Sequence, residues 1–333
     1  MTLGLRSLVL VCALLVHPLS RADAVADWNK IALDTVVQSG QPLEDKLRAM
    51  AMVHVAIFEA LNFIQGRYTP HFIVEPPRLS GMSIEAVAAA AAHHVLVDLY
   101  PEQGAALAAA LRTSLDGSPG PRATTTDVTT GANIAALICA VRASERGAEG
   151  DLTDRRTPSS TGRPMATAPR LEPWVLKSSS QFRPADPISR QDALSTREDK
   201  DVNALGVRVR AVRPDVQTEM NRFSSLATPL DWNPIVAELI SSRGLSPIES
   251  ARIHALISMV VADAYAVGLD AHYPCAPCIA ASAAATVLAS EFGAGGNASK
   301  AVNTDQAMGR EIARYALGQY FRPLQQPAGR ASH

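Results

Sequence analysis

The chain has 333 residues, a formal net charge of −1 and 19% charged residues. No basic run interrupts it, which argues against a nucleic-acid partner. Hydrophobic residues make up 47% and aromatics only 5%, and alanine-rich segments with almost no alternating β-branched runs predict an all-α protein.

The N-terminus reads as an export signal. Arg6 supplies a positive charge, Ser7 to Val16 a short apolar stretch, and Ala22-Asp23-Ala24 an A-x-A cleavage pattern. The apolar run is shorter than the ~20 residues that a bilayer span needs. Cys12 follows Val11 and does not fit a lipoprotein site. Cleavage after Ala24 would leave a secreted or periplasmic chain: one helical domain over 25–323 and a disordered tail over 324–333. No later segment is expected to span a membrane, because His254 and Asp263 interrupt one apolar helix and His93 and His94 another. A homo-oligomer stays open, and no other partner is indicated.

The pattern predicts a first helix from Ala26 to about Gly40 and a second from Leu43 to Ile64, with Leu47, Met50, Ala51, Ile57, Phe58 and Leu61 at helical spacing. His54 on that helix is read as a hydrogen-bonded core histidine in preference to a catalytic one. After a Pro-rich connection, Ser83 caps a third helix that ends at Pro101. His93 and His94 on it point about 100° apart and cannot form one bidentate metal site. A fourth helix covers Pro101 to Leu115, and a fifth Thr126 to Arg146 with Ile134, Leu137, Ile138 and Val141 inward. Gly147 to Ser189 is rich in Gly, Ser, Thr and Pro and reads as a long loop, pinned by Trp174 and Phe182. Amphipathic helices follow over Asp201–Val212 and Pro214–Leu226, then a short helix over Pro229–Ser242. Ser246, Pro247 and Glu249 open a long interior helix, with Ser246 and Glu249 as a capping box. It breaks at Asp270-Ala271-His272-Tyr273-Pro274, and another apolar helix runs from Cys275 to about Glu291. A last helix covers Thr304 to Tyr320, with Met308, Ile312, Tyr315 and Ala316 inward. If the chain has a reactive centre, the break at 270–274 is the place for it. Cys139 reads as a small core residue, and the close pair Cys275/Cys278 is open to oxidation in an exported protein.

The succession ADWNKIALD, MVHVAIFEALN, RYTP and an Ala/His helix ending in LYP resembles the secreted bacterial vanadium-dependent haloperoxidase-like family. That family belongs to the type-2 phosphatidic acid phosphatase superfamily. SSSQFRP at 178–184, DVNALGVRVRAVRPDVQTEMNRF at 201–223, ARIHALISMVVADAYAVGLDA at 251–271 and the terminal MGREIARYALGQYFRP are similar to it too. The resemblance spans nearly the whole expected mature chain and implies a helical bundle. It also implies phosphoester hydrolysis or vanadate-dependent halide peroxidation. In that chemistry Lys, Arg, a Ser hydroxyl and a backbone N–H hold the oxyanion, one His attacks phosphorus or ligates vanadium, and a second His moves the proton.

The three motifs that carry this chemistry are missing: Lys followed by Arg-Pro, Pro-Ser-Gly-His, and Ser-Arg-x-x-x-Gly-x-His. His272 stands where the Lys belongs, and no Arg-Pro follows before Arg310. Tyr273-Pro274-Cys275-Ala276-Pro277-Cys278 resembles the second motif with Cys275 for its Ser, Ala276 for its Gly and Pro277 for its His. The third should lie in GAGGNASKAVNTDQAM, which has neither His nor Arg and offers only Ser299 and Lys300 to an anion. The first expectation is therefore a catalytically silent member without a cofactor. The second is a rebuilt phosphatase or haloperoxidase site for vanadate or phosphate, with His272 catalytic and Lys300, Arg208 and Arg213 binding the anion. The third is a binding or thiol-redox protein, since Cys275-Ala276-Pro277-Cys278 has the C-x-P-C form; a structural disulfide or free thiols ranks above that, because the redox motif normally follows a strand. A zinc site on His272, Cys275 and Cys278 would have three ligands at best, and no metal site is expected.

Overall fold

In a computed structural model, residues 23–73, 79, 81–117, 123–153, 172–178, 180–182, 228–270, 275–292 and 304–324 are described, with 144–153 and 304–306 as backbone only. The segment read as an export leader, the helices expected over 201–226, residues 271–274 of the expected break and most of the expected tail lie outside them.

The described residues form α-helices without a β-strand: α1 (Ala24–Gln38), α2 (Leu43–Gln65), α3 (Ile84–Leu99), α4 (Gly104–Asp116), α5 (Thr125–Thr153), α6 (Trp232–Arg243), α7 (Pro247–Asp270), α8 (Ala276–Phe292) and α9 (Thr304–Gln319). Short 3-10 turns lead into α4 and α6. The caps follow local chemistry. Asp23 accepts the Val25 and Ala26 N–H groups and opens α1, so a cut after Ala24 would remove this cap with the leader. Ser83 accepts from Ala86 N–H at the start of α3. Glu249 Oε2 accepts both the backbone N–H and the hydroxyl of Ser246 at the start of α7. Gly66 closes α2 at φ +59°, a left-handed conformation that costs glycine nothing.

α2 and α7 form the centre and run antiparallel. Arg67, just past the end of α2, pairs with Glu249 at the start of α7, while Glu44 on the first turn of α2 senses Asp270 at the far end of α7. α3 and then α5 stack on one side of this pair, α8 and then α9 on the other. Small residues set the outer spacings. A Cβ on Gly131 of α5 would lie 2.3 Å from the Val87 carbonyl of α3, and one on Gly309 of α9 would lie 2.2 Å from the Ile279 carbonyl of α8.

Three expectations change. α5 continues through Gly147 to Thr153, because two glycines at about 1 kcal/mol each do not break a helix. Leu137 is 46% exposed while Ile134 and Ile138 are buried; α5 packs chiefly on α3 and α2, and Leu137 lies off that stripe. By length and composition α2 and α7 both meet the requirements of a membrane span, but 94% and 72% of their most apolar windows are buried within the fold. Their hydrophobicity is that of central helices enclosed by neighbours.

Candidate functional site

At the seam between α7 and α8, Cys275 and Cys278 are joined by a disulfide. Cys275 precedes the first residue of α8. Its carbonyl accepts the Cys278 and Ile279 N–H groups at 3.0 and 3.3 Å, and its Sγ accepts the Cys278 N–H at 3.2 Å. Pro277 is exposed on this turn and both cysteines are half-buried. His272, Lys300, Arg208 and Arg213, the residues expected to form a rebuilt anion site, lie outside the described residues. Among the described residues no three His, Cys, Asp or Glu side chains are placed to hold a metal ion.

The polar groups of the two central helices are instead turned inward. Asp263 of α7 is buried and holds a strap formed by 172–178. Its Oδ1 accepts the Trp174 N–H at 2.8 Å, and its Oδ2 accepts the Val175 and Leu176 N–H groups at 2.8 and 3.1 Å. Burial pushes the carboxyl up to about 6, against the pull of these bonds and of Arg142. The Arg142 guanidinium of α5 stacks 3.6 Å over the Trp174 ring. Trp174 and Phe182 thus pin the segment as expected: Trp174 is buried, and Phe182 packs edge-on against Tyr315 of α9.

A second clasp forms around Glu59 and Asn62 of α2. Glu59 Oε1 accepts the His71 and Phe72 N–H groups at 2.6 and 3.4 Å. Asn62 accepts from the Arg67 and Tyr68 N–H groups and donates to the Tyr68 carbonyl. The chain end closes over it. Tyr68 bridges Pro323, Thr69 N–H donates to the Arg322 carbonyl, the Tyr320 hydroxyl donates to the Val175 carbonyl, and the Phe321 ring packs tilted against Phe58, 4.1 Å between centroids. Burial raises Glu59 to about 7 and, with Arg142, lowers His71 to about 4. Glu59 Oε2 has no hydrogen-bond partner among the described residues.

His54 is a core histidine, as expected, but the hydrogen bond expected for it is not found among the described residues. Neither ring nitrogen has a partner among the described residues, because its neighbours are apolar helix faces and the ring of His254. The two rings stack at 4.8 Å with an 11° interplanar angle. Burial holds both imidazoles neutral, taking His254 down to about 4 and His54 well below its ordinary range. Beside them a cavity of about 30 Å³ is lined by His254, Ser258 and Asn233 among apolar side chains such as Met50, Trp232 and Val261. It has room for water, not for an organic substrate.

The roles of Asp263, His254 and Glu59 are not apparent from a linear reading. The available signal was charged or polar residues inside helices apolar nearly all round, since such groups must find partners or sit neutral. Chemically, the carboxylates serve as acceptors for loop backbone and the imidazoles are enclosed. The accessible reactive bond among these groups is the disulfide.

No protein-family model matches this chain, and no curated protein does. Among solved structures it is similar to one titled "Crystal structure of the first bacterial vanadium dependant iodoperoxidase", with a TM-score of 0.61 and 15% identity over 90% of this chain and 98% of that one. The fold is accordingly an all-α helical bundle of the vanadium haloperoxidase type.

Proposed function

We propose that this chain is a divergent member of the vanadium-dependent haloperoxidase and type-2 phosphatidic acid phosphatase superfamily that keeps the scaffold and has lost the oxyanion pocket. One observation carries the reading: where the second motif would supply a Ser hydroxyl and a His, the chain has a closed Cys275–Cys278 disulfide and an exposed Pro277. Proline has no proton to transfer, and sulfurs tied in a disulfide do not bind an oxyanion. The Cys278 and Ile279 N–H groups, which could otherwise cradle one, bond back to Cys275. This donor set does not fit vanadate or phosphate, and no catalytic step is assigned to either ion.

The leader pattern supports export, with the protein secreted or periplasmic; N-terminal sequencing of the purified protein reads the processed end directly. Function is tested by phosphatase assay and by iodide and bromide peroxidation with and without vanadate. Calorimetric titration with vanadate and phosphate completes the test. Expected are turnover equal to that of Pro277→Ala and no heat of binding at millimolar ligand. Saturable vanadate or phosphate binding, or turnover well above the variant, would overturn the proposal in favour of a rebuilt site.

A further inference from the structure

The disulfide at the head of α8 has little to staple. It joins residues three apart in sequence, Cys275 just before α8 and Cys278 in its first turn. The contact of α7 with α8 is made by other groups: Gly268 packs against Ala276 and Ile279, and Arg252 pairs with Glu291. A ring this small also removes less chain entropy than a long one.

What the position does provide is activation of one sulfur. Cys275 lies at the positive end of a 17-residue helix, and its Sγ already accepts a backbone N–H from the first turn. A thiolate there is favoured by the same N–H and by the aligned peptide dipoles. Cys278 lies one turn further in. Both cysteines are half-buried beside an exposed proline, whereas Cys139 is buried on α5 and burial pushes its thiol up to about 12.

We infer that Cys275–Cys278 is a reversible dithiol/disulfide centre that exchanges with thiol and disulfide compounds, with Cys275 as the attacking sulfur. In the reduced protein the Cys275 thiolate attacks a disulfide RS–SR, forming a mixed Cys275–SR bond and releasing RS⁻. The Cys278 thiolate then attacks Cys275 Sγ, closes the intramolecular bond and releases the second RS⁻. Two electrons pass from the protein to RS–SR, and the protons given up by the two cysteines go to the released thiolates. A dithiol or two monothiols run the sequence backwards. This activity uses only the two sulfurs and is independent of the fate of the anion pocket.

The test equilibrates the full chain with graded reduced and oxidised glutathione, quenches with acid, alkylates and counts modified cysteines by mass spectrometry. Expected is reversible opening in millimolar glutathione, with Cys139 unmodified when the native protein is alkylated without quench. Native alkylation of the single variants Cys278→Ser and Cys275→Ser then locates the nucleophile. At pH 7, Cys275 in the first should react several-fold faster than Cys278 in the second, because the helix N-terminus and the N–H at its Sγ favour its thiolate. A bridge that stays closed in excess reduced glutathione, or a Cys278 that reacts as fast as Cys275, overturns the inference. Should either variant fail to fold, the wild-type equilibrium alone decides.

Discussion

Two glycines of α9 should respond in opposite directions to the same substitution. A Cβ on Gly309 would lie 2.2 Å from the Ile279 carbonyl oxygen, 2.9 Å from the Ala283 nitrogen and 2.9 Å from the Ser282 Cβ. The first two are backbone atoms of α8 and cannot rotate away. To restore an ordinary 3.4 Å contact at the Ile279 oxygen, α9 must withdraw by about 1.2 Å. A radial gap of ~0.5–1 Å already forfeits a quarter to a half of each dispersion contact. Met308, Ile312, Ala313 and Ala316 are all buried on α9, so the loss extends along the helix, and Gly309→Ala should cost about 1–3 kcal/mol or more. Gly318, on the same helix, has nothing within 4 Å of its added Cβ. There Gly318→Ala only removes unfolded-state freedom and should stabilise by up to about 1 kcal/mol. Urea unfolding followed by circular dichroism measures both. A Gly309→Ala protein as stable as Gly318→Ala would refute the close seating of α9 on α8.

The strap, the clasp and the stacked imidazoles each carry a prediction. Asp263→Ala strands three buried N–H donors at about 1–3 kcal/mol each, partly offset at neutral pH because burying the charge is itself unfavourable. A net loss of about 2–4 kcal/mol in urea unfolding is expected, with faster proteolysis at 172–178, and unchanged stability would remove the strap's role. Glu59 has its folded pKa raised from 4.5 to about 7, so its contribution is complete below pH 4.5 and is lost as pH rises through 7. Glu59→Gln should flatten that decline, on the order of 3 kcal/mol, in a stability series from pH 4.5 to 8. His254 is shifted the other way, from 6.5 to about 4. Its contribution is complete above 6.5 and falls away as pH drops toward 4, so His254→Leu should remove roughly 3 kcal/mol of acid sensitivity. An acid limb identical to wild type would show that the buried imidazole does not govern it.

Most of the described helices were legible in the linear chain because their causes are local, although α5 runs past the end expected at Arg146. Ser83 and the Ser246/Glu249 pair reach only three residues, and the 3.6-residue period of α2 depends on nothing distant. The seating of Trp174 and Phe182 on the helical body was legible too, since large aromatics in a Pro/Ser-rich stretch have little else to do. The uses of the interior polar groups were not. Asp263 meets Trp174 across 89 residues of chain, His254 stacks on a histidine of the other central helix, and Arg142 lies over a tryptophan from beyond its own helix. A sequence shows that a charge sits in an apolar helix, but its partner is chosen by how the helices stack. The Cys275–Cys278 spacing likewise allowed a bridge, free thiols or a redox pair. Only the helix start at Ala276, with the Cys278 N–H shared between the Cys275 carbonyl and Sγ, makes the two sulfurs inequivalent, because a helix start aims its first-turn N–H groups at the residue before it.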